Sequence, residues 1–562
     1  MRLLAAFLWS LLVRSVEAQD ECDINSSCDS YRDRYRDRPN IIYIMADDLG
    51  WNDVGFHNPK IKTPHIDALK AKGIELTQAY MEPVCSASRS AFMTGRYSTR
   101  NGLQLLVLMQ ASQSCLPVEH KTIHQYMREE GYSTTHIGKW HLGDCSESCL
   151  PLNRGVEEFR GILSGEADYF NWTDRGVMQR NINGEPSIKD IGTHLTIQDM
   201  RDVREIIVNQ SMQSERKPFF MWLATTAPHI PLQATEEMFN VHNFLNASNP
   251  AEKNRRTYLG IVSALDDLVG TTISALRETR LHKNTIIVFS SDNGGPTQAS
   301  AYLGKPYYSN NYPLRNSKMT FMEGGIRVPT IYYDPRLCSS TRGTSRDFMI
   351  HVTDWLPTFL QIAKEETNSE NFTIPGIDGV SQLANLGSKY NCPAKRKYNL
   401  REEFVIALTE RTVSTRSFCA MNDTAYRWRD YKLVYGKRYY MVDPDTVNSE
   451  WPVPQESPEL PEIIGSNCHR VEDGERVVRC LFNVIEDPSE TDNLFDKEPE
   501  VVEMLLNKIS EAKKVSVKPV HHRTLGVTNI TAQVFGDYLI PKHDYCTPSQ
   551  DFPLEAASSL CY

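Results

Sequence analysis

Short continuous runs of apolar residues recur along the first part of the chain. Three of them, Asn40–Ala46, Pro218–Leu223 and Thr285–Phe289, have the length and composition of strands buried on both faces of a parallel sheet. The run Tyr258–Leu276 instead places its apolar residues at helical spacing, and it leads into the third strand. Because a helix that feeds a buried strand is typical of α/β proteins, we predict an α/β fold.

The pattern becomes looser towards the C-terminus. The stretch Thr367–Pro393 is polar and interrupted by Gly and Pro, as expected of a linker. Beyond it, Phe404–Leu408 and Tyr431–Tyr435 predict short strands, and Val501–Ile509 predicts a helix. The predicted divisions are a large domain at 39–394, a smaller α+β domain at 395–515 and a disulfide-containing tail at 516–562.

The N-terminus has the pattern of a secretory signal peptide. Arg2 precedes the short apolar run Leu3–Val13, and Val16–Ala18 forms a small-residue cleavage site. We therefore predict a signal peptide at 1–18 and a polar leader at 19–38. The apolar run is too short to span a bilayer, so we expect no stable membrane insertion. The predicted destination is the secretory pathway, with lysosomal delivery and secretion both left open.

Glycosylation sequons and cysteines agree with export. Sequons begin at Asn25, Asn171, Asn209, Asn246, Asn371, Asn422 and Asn529. Of the 13 cysteines, setting Cys85 aside leaves 12, which can all pair in an oxidising compartment. Cys468 and Cys480 could form a disulfide that joins the strands of a hairpin, and Cys546 and Cys561 could form one that closes a C-terminal loop.

The overall charge limits the possible partners. The net charge is −10, and the sequence has no long basic run. This composition does not favour nucleic-acid binding. A polyanionic substrate would have to be held by a local basic site.

The stretch Val84–Gly95 contains a candidate reactive cysteine. Cys85 precedes a helical pattern, and at a helix N-terminus the free N–H groups and the dipole favour anions and lower the pKa of a thiol. Arg89 lies one turn later on the same face. For an isolated Cys-x-x-x-Arg, however, a buried structural cysteine beside a surface arginine is the better interpretation.

Polar residues follow two of the predicted strands. Asp47 and Asp48 come directly after the first strand, and Asp292 and Asn293 follow Thr285–Phe289 closely. Ligands of open α/β sheets bind beyond the carboxyl ends of strands, so the two pairs could converge on one cation. Three carboxylates and an amide suit Ca²⁺ or Mg²⁺ better than Zn²⁺. For Asp47 and Asp48 taken alone, a turn that caps the next helix is the better interpretation.

Three further residues are candidates for the same site. If the end of the run Tyr132–Gly143 is extended, Lys139 and His141 point to one side and could bind an oxyanion and move a proton. His229 follows the strand Pro218–Leu223, which makes it a candidate too. A surface lysine and structural histidines are the alternative interpretation of these residues.

Several separated motifs together resemble the sulfatase family. C-S-A-S-R-x-x-x-x-T-G-R begins at Cys85, G-K-W-H-L-G occupies 138–143, and K-M-T-F-M-E-G-G-I-R-V-P begins at Lys318. The resemblance covers roughly Pro39–Lys514. Ala87 stands where most members have Pro, and Ala also occurs there in the family.

The resemblance implies a fold. Sulfatases have an alkaline-phosphatase-like α/β sandwich, in which helices flank a large mixed sheet. A smaller C-terminal α+β domain with an antiparallel sheet follows. The resemblance also favours a disulfide between Cys115 and Cys149.

The resemblance further implies a catalytic machinery. Cys85 would be oxidised to formylglycine by a formylglycine-generating enzyme, and Arg89 would steady the hydrate of that aldehyde. One Ca²⁺ ion would be held by Asp47, Asp48, Asp292, Asn293 and the modified Cys85. Lys139, His229 and Lys318 would contact the sulfate. His229 or Lys318 would protonate the leaving oxygen, and His141 would act as the base that releases sulfate.

Three segments, at 46–57, 63–69 and 138–143, resemble one subgroup of the family more closely. Its members remove the 4-sulfate of N-acetylgalactosamine in dermatan and chondroitin sulfate. The implied activity is that of a Ca²⁺-dependent arylsulfatase acting on sulfated carbohydrates or aryl sulfates.

Two other functions are compatible with parts of this pattern. A phosphatase or phosphodiesterase of the same superfold would use Ser or Thr and two Zn²⁺ ions, whereas this chain has Cys85 and Asn293. A secreted matrix or glycan-binding protein could keep the fold and lose turnover. That second function predicts an unmodified Cys85.

Overall fold

The computed structural model describes residues 38–517 except 105–106, 111, 214–216, 298–307, 367–371, 387–399, 409–422, 437–466 and 473, and it also describes 533–535 and 538–540. The predicted signal peptide, nearly all of the leader, the boundary at 394 and 395 and the proposed Cys546–Cys561 pair lie outside the described residues.

The strands run in chain order as follows: β1 (Asn40–Ala46), β2 (Ile74–Tyr80), β3 (Ser133–Lys139), β4 (Glu158–Ile162), β5 (Thr173–Asp174), β6 (Val177–Met178), β7 (Arg180–Ile182), β8 (Glu185–Pro186), β9 (Phe219–Ala224), β10 (Thr285–Ser291), β11 (Ile331–Tyr333), β12 (Ser345–His351), β13 (Glu403–Leu408), β14 (Asp423–Trp428), β15 (Tyr431–Gly436), β16 (His469–Glu472), β17 (Glu475–Asn483), β18 (Gln533–Phe535) and β19 (Tyr538–Ile540).

The α-helices are α1 (Pro64–Lys72), α2 (Cys85–Thr94), α3 (Ser98–Asn101), α4 (Ile123–Glu129), α5 (Leu195–Met212), α6 (Glu236–Asn240), α7 (Pro250–Glu278), α8 (Glu323–Ile326), α9 (Trp355–Ala363), α10 (Leu383–Leu386) and α11 (Pro499–Val515). Short 3₁₀ helices span Glu147–Cys149, Pro151–Arg154, Leu281–Asn284 and Val352–Asp354.

A ten-stranded mixed sheet forms the centre of the large domain. Its order is β12-β2-β11-β10-β1-β9-β3-β4-β7-β8. The five strands from β10 to β4 in this order are parallel. Their carboxyl ends therefore meet at one edge, and Ala46 lies opposite Ser291 in the register. This edge carries the candidate site.

Alternate residues of β1 fill two separate cores. Ile41, Tyr43 and Met45 face a cluster that includes Phe92 of α2, whereas Ile42 and Ile44 face a second cluster that includes Ile261 of α7. Because side chains of a strand alternate between the faces of the sheet, an all-apolar run is required when both faces are covered. The prediction of buried strands between helical layers is confirmed.

A smaller antiparallel sheet follows in the chain. Its order is β13-β14-β15-β17-β16, and α11 packs on one face through Leu505 and Ile509. Its other face packs against residues of the large domain, among them Tyr80 and Ile326. The short strands predicted in this region are confirmed, and the final helix is longer than predicted.

A third sheet joins the tail to the large domain. It has four strands in the order β18-β19-β6-β5, and β19 pairs in parallel with β6 through Leu539 and Val177. The tail therefore pairs with the large domain at β6.

Two predicted disulfides are present. Cys115 is bonded to Cys149 and Cys468 to Cys480. Within the described part of the chain, Cys85 is the free cysteine. The described sequon residues Asn171, Asn209 and Asn246 are all exposed.

One described helix is long and apolar enough to cross a membrane by length and composition alone. It is α7, and 78% of its most apolar window is buried inside the protein. A buried core helix of a folded domain passes the same test.

Candidate functional site

Cys85 is the first residue of α2, directly after the extended residue Val84. Every residue of this helix is buried, and Phe92 fixes it on the sheet through ring contacts with Tyr43 and Trp222. The Cys85 Sγ atom lies 3.1 Å from Lys318 Nζ and 3.6 Å from Asp47 Oδ1. The helix thus brings the sulfur to the carboxyl edge of the sheet.

The environment of this thiol differs from the sequence-based expectation. Burial raises the pKa of Cys85, and the negative charge of Asp292 acts in the same direction. The desolvation of the thiolate therefore outweighs the helix dipole, which predicted a lowered pKa. As a thiol, Cys85 is protonated at neutral pH and is a poor nucleophile.

The two pairs of polar residues at the strand ends come together as predicted. The Asp48 amide donates to Asp292 Oδ1 at 3.3 Å, and Asn293 Nδ2 donates to Asp48 Oδ1 at 2.7 Å. Asp48 has a left-handed φ of 71°, which turns the chain sharply after β1. All four side chains, including that of Asp47, are buried.

Several oxygens of this cluster are suited to a cation. Asp48 Oδ2 and Asn293 Oδ1 are buried and accept no hydrogen bond from any described residue. Buried oxygens without a donor are costly unless another positive group faces them. Ligand atoms of Asp47, Asp48, Cys85 and His229 lie within 4.8 Å of one another. The carboxylate oxygens of Asp47 and Asp48, together with Asn293 Oδ1, fit a hard divalent cation such as Ca²⁺ or Mg²⁺.

Three cationic side chains pair with the three carboxylates. Lys139 Nζ lies 2.7 Å from Asp47 Oδ2. Arg89 Nη2 lies 2.8 Å from Asp292 Oδ2, and Lys318 Nζ lies 2.6 Å from Asp48 Oδ1. The three positive charges balance the three negative ones, so a bound cation would make the site attractive to an anion.

The carboxylate pKa values differ between the strand ends. Burial raises the pKa of Asp47 in spite of Lys139. Burial also acts to raise the pKa of Asp292, but Arg89, Lys139 and Lys318 outweigh it and hold the value at about 2. Asp292 is therefore fully ionised at neutral pH.

Arg89 occupies a supporting position. Its guanidinium donates twice to Asp292 Oδ2 and once, at 2.8 Å, to the Lys139 carbonyl. The sequence placed Arg89 on the same helix face as Cys85, and in the structure its guanidinium lies between Asp292, directly after β10, and Lys139, the last residue of β3. It fixes the orientation of Asp292.

His141 does not lie on an extended strand. β3 ends at Lys139, and His141 has a left-handed φ of 56°, so the predicted alternation is not what orients its ring. Its Nε2 lies 2.9 Å from the Leu108 carbonyl, which can only accept a hydrogen bond. The proton of the neutral ring is therefore on Nε2, and Nδ1, which has no described partner, is left as the basic atom. Burial, assisted by the positive charge of Lys139, lowers the pKa of His141 well below its ordinary value.

Two residues that orient His141 were not identified from the sequence. One is Leu108, which acts through its main chain. The other is Gly165, where a Cβ atom would lie 2.4 Å from His141 Nε2. Neither residue carries a polar side chain, so the sequence offered no signal for them.

His229 completes the cluster as predicted. Its Nδ1 donates to the Ile230 carbonyl at 2.7 Å, and its Nε2 lies 3.5 Å from Asp48 Oδ2. The Tyr169 hydroxyl lies 2.9 Å from the carbonyl oxygens of both Thr226 and His229, can donate its one proton to either, and so fixes this loop. The Nε2 atom of His229 is the one directed into the site.

The arrangement combines a buried sulfur, a candidate cation site, lysines and two histidines at one sheet edge. The lysines can hold an oxyanion. The histidines offer a proton acceptor and a proton donor on different loops. This combination suits transfer of an anionic, oxygen-rich group such as a sulfuryl group to a nucleophile at position 85.

Comparison with known proteins agrees with this chemistry. A family model described as Sulfatase matches residues 39–365. Arylsulfatase J of Mus musculus is 31% identical over 503 residues, which are 85% of this chain and 76% of that protein. N-acetylgalactosamine-6-sulfatase of Canis lupus familiaris is 30% identical over 359 residues, which are 60% of this chain and 65% of that protein.

Solved structures are similar over most of the chain. The crystal structure of Ps i-CgsB in complex with k-i-k-neocarrahexaose has a TM-score of 0.67 and 27% sequence identity. The match covers 87% of this chain and 95% of that chain. A second crystal structure of Ps i-CgsB has a TM-score of 0.65 and 26% sequence identity, and the match covers 86% of this chain and 94% of that one. The prediction of a large mixed sheet flanked by helices, with a smaller antiparallel sheet, is confirmed.

Proposed function

This chain belongs to the sulfatase family of sulfuric ester hydrolases, and we propose that it uses a formylglycine made from Cys85 and one Ca²⁺ ion. The observation that carries the proposal is the position of Cys85 Sγ, 3.1 Å from Lys318 Nζ and beside the carboxylates of β1 and β10. A nucleophile at this position would face a sulfate held by the lysines.

The modification of Cys85 is supported by the poor nucleophilicity of the thiol. Burial raises its pKa, so the unmodified side chain would not attack a sulfate ester at neutral pH. The hydrate of formylglycine supplies two hydroxyl groups, one to attack sulfur and one to expel sulfate. A formylglycine-generating enzyme is the partner that this proposal requires during biosynthesis.

The proposed Ca²⁺ ligands are Asp47, Asp48, Asp292 and Asn293, together with the modified Cys85. Asp48 Oδ2 and Asn293 Oδ1 support this assignment because both are buried and accept no hydrogen bond from a described residue, although His229 Nε2 lies 3.5 Å from Asp48 Oδ2. The ion would supply positive charge next to the sulfuryl oxygens and the attacking hydroxyl.

The proton transfers follow from the two histidines and the lysines. Lys139 and Lys318 would bind the sulfate oxygens and stabilise negative charge on them in the transition state. His229 Nε2, or Lys318, would protonate the leaving oxygen. His141 Nδ1 would accept the proton of the second hydroxyl, which matches its neutral tautomer.

We propose sulfated glycans as the substrate class, and the 4-sulfate of N-acetylgalactosamine in dermatan or chondroitin sulfate as the substrate. The segments at 46–57, 63–69 and 138–143 support this because they resemble arylsulfatase B. The balanced charges of the site would hold a sulfate monoester once the cation is bound. Lysosomal or extracellular destination is consistent with the three exposed sequon residues.

The first experiment is mass spectrometry of the tryptic peptide Gly73–Arg89 from protein made in a secretory host. An aldehyde at Cys85 is the expected result. The same preparation is then assayed with p-nitrophenyl sulfate, p-nitrophenyl phosphate, N-acetylgalactosamine 4-sulfate and N-acetylgalactosamine 6-sulfate. Release of sulfate with preference for the 4-sulfate is expected, and phosphate release would favour a phosphatase.

An unmodified thiol would point to the alternative function. If a control sulfatase is converted in the same host and Cys85 is not, the chain is a glycan-binding protein with a sulfatase fold. It would then bind sulfated glycans without hydrolysis.

Calcium removal tests the cation assignment separately. Treatment with EGTA is expected to abolish sulfate release and to lower the melting temperature, and Ca²⁺ should restore both. Restoration by Mg²⁺ but not by Ca²⁺ would contradict the identity of the ion.

A further inference from the structure

Lys318 lies on the segment Arg315–Ile326, between β10 and β11, which is irregular until it enters α8 at Glu323. Two of its residues, Asn316 and Met319, have left-handed φ values of 68° and 71°. Close to the lysine, the chain is held by backbone hydrogen bonds from Lys318 to Gly295 and from Met319 to Pro83. A backbone of this kind depends on its surroundings to keep one conformation.

The C-terminal end of this segment is tied to the small sheet by a buried ion cluster. Glu323, five residues after Lys318, is 0% exposed. Its carboxylate accepts from the Tyr80 hydroxyl at 3.0 Å and from Lys432 Nζ at 3.0 Å. Lys432 belongs to β15 of the small sheet and is itself 0% exposed.

Glu490 ties both ends of the same segment. It lies in the turn after β17, and its Oε2 accepts the Glu323 amide at 2.7 Å. Its main-chain carbonyl accepts from Arg315 Nη1 at 3.0 Å, and its Oε1 lies 2.5 Å from Lys432 Nζ. Lys432 therefore neutralises the two carboxylates at the end of the Lys318 segment, and through the Glu490 side chain it also positions the main chain that holds Arg315 at the start.

Loss of Lys432 would disturb the segment more than the rest of the fold. Without Lys432, the carboxylates of Glu323 and Glu490 would repel each other. Arg327 Nη1, 3.5 Å from Glu323 Oε2, would still offset part of the charge of Glu323, so protonation of Glu490 is favoured. Glu490 is the more susceptible, since burial raises its pKa to about 7 in spite of Lys432. The resulting movement would be transmitted to Arg315 and Glu323, and hence to the loop between them.

We propose that Lys432 and Glu490 are positioning residues for Lys318, so that the small sheet sets the affinity of the catalytic edge for sulfate. This inference deepens the proposed function and rests on it, because it requires Lys318 to contact the sulfate. A buried ion cluster with a purely structural role would stabilise the domain interface without affecting sulfate affinity.

The test measures binding of inorganic sulfate by calorimetry and kcat/KM for p-nitrophenyl sulfate. Lys432→Met is expected to weaken sulfate binding and lower kcat/KM by about tenfold to a hundredfold, as a displacement of about 1 Å in a site does. Lys432→Arg, which keeps the charge, is expected to recover most of the loss. Lys508→Met is the matched control, since it removes the ion pair of Lys508 with Glu403 between α11 and β13 and should leave both quantities unchanged.

Glu490→Gln is the second variant, in case Lys432→Met does not fold. It keeps the shape of the side chain and leaves the pair of Lys432 with Glu323, and it should weaken sulfate binding in the same direction. In a Lys318→Ala background, the further effect of Lys432→Met or Glu490→Gln on sulfate affinity should be less than about twofold, because coupled residues are not additive.

Three results would overturn the inference. They are an unchanged sulfate affinity in folded Glu490→Gln, no rescue by arginine at 432, and an equal loss in the native and Lys318→Ala backgrounds. If Lys318→Ala alone leaves sulfate binding unchanged, the proposed sulfate contact fails as well. Failure of the proposed sulfate contact can be distinguished from failure of the inference about Lys432 and Glu490, because Lys318→Ala changes no residue of the small sheet.

Discussion

At the scale of single residues, the proposed base His141 depends on a glycine that faces its ring. A Cβ at Gly165 would lie 2.4 Å from His141 Nε2, so Gly165→Ala must displace the imidazole and break its bond to Leu108. We expect kcat to fall by about a hundredfold with little change in melting temperature.

The control is Gly184→Ala, where the backbone φ is 93°, a positive value that Gly165 does not share, and where the nearest side-chain atom lies 3.7 Å from the added Cβ. It should lower stability slightly and leave kcat intact. A Gly165→Ala protein with native kcat would show that the position of the His141 ring does not matter for turnover.

A second prediction concerns the nucleophile. Cys85→Ser would place a single hydroxyl at the position where the formylglycine hydrate has two. Multiple turnover should be lost, and any sulfuryl group transferred to the serine should remain attached. Intact-protein mass spectrometry after incubation with p-nitrophenyl sulfate detects this adduct, and full multiple turnover by the variant would contradict the mechanism.

The sequence identified the residue types of the site but few of their contacts. Asp47, Asp48 and Asp292 could be located because each stands at the end of an apolar run. The bonds of Arg89 to Asp292 and of His141 to Leu108 join residues that are far apart in sequence. Their geometry depends on packing that no local pattern encodes.

At the scale of elements, predictability followed the length and apolarity of each segment. β1 and α7 could be predicted because burial on both faces of a strand, or along one stripe of a helix, requires a strict pattern of apolar residues. β5 and β8 have two residues each and contain polar side chains, so no periodicity exists to detect. The pairing of β19 with β6 depends on a long-range contact that the tail sequence did not indicate.

Helix α2 is the element whose placement matters most for the site. Phe92 packs at ring distances of 4.5 Å from Tyr43 and 5.1 Å from Trp222, seven residues after Cys85. Phe92→Ala should reduce the free energy of unfolding by about 3–5 kcal/mol, because it leaves a cavity between helix and sheet. Phe92→Leu, which fills most of that space, should cost much less.

Denaturant titration followed by circular dichroism measures both variants. A loss below about 1 kcal/mol for Phe92→Ala would mean that the helix relaxes into the space. Such relaxation should also move Cys85 and reduce activity.

At the scale of the whole molecule, the protein is acidic but its candidate site is neutral. The net charge is −10, whereas three cationic side chains balance three carboxylates at the sheet edge. An anionic substrate therefore meets a repulsive surface and a local site that attracts it once a divalent cation is bound. We expect substrate affinity to depend on the cation more than on the overall charge.

The stability of the whole molecule should depend on pH through its buried carboxyl groups. Burial raises the pKa of Asp199 to about 7, although Arg180 opposes the shift, so the folded protein binds a proton there at a pH where the unfolded chain does not. The free energy of unfolding should therefore rise as the pH falls from about 7 towards the ordinary aspartate value of 3.8. His124 acts in the opposite direction below pH 6.5, because burial lowers its pKa to about 3.

The variant Asp199→Asn separates the contribution of this carboxyl group to the pH dependence of stability from the contribution of the histidines. The variant keeps a group that can accept the hydrogen bond of Thr225, and it removes the buried charge. The difference in free energy of unfolding between this variant and the native protein should shift in favour of the variant by on the order of 2 kcal/mol as the pH rises from about 5 to about 8. Asp190→Asn, at an exposed position, is the control and should show no such trend. Denaturant midpoints measured across this pH range test the prediction. If the midpoints of the native and Asp199→Asn proteins change with pH in parallel, Asp199 is ionised in the folded state. Its environment would then supply more positive charge than Arg180 alone.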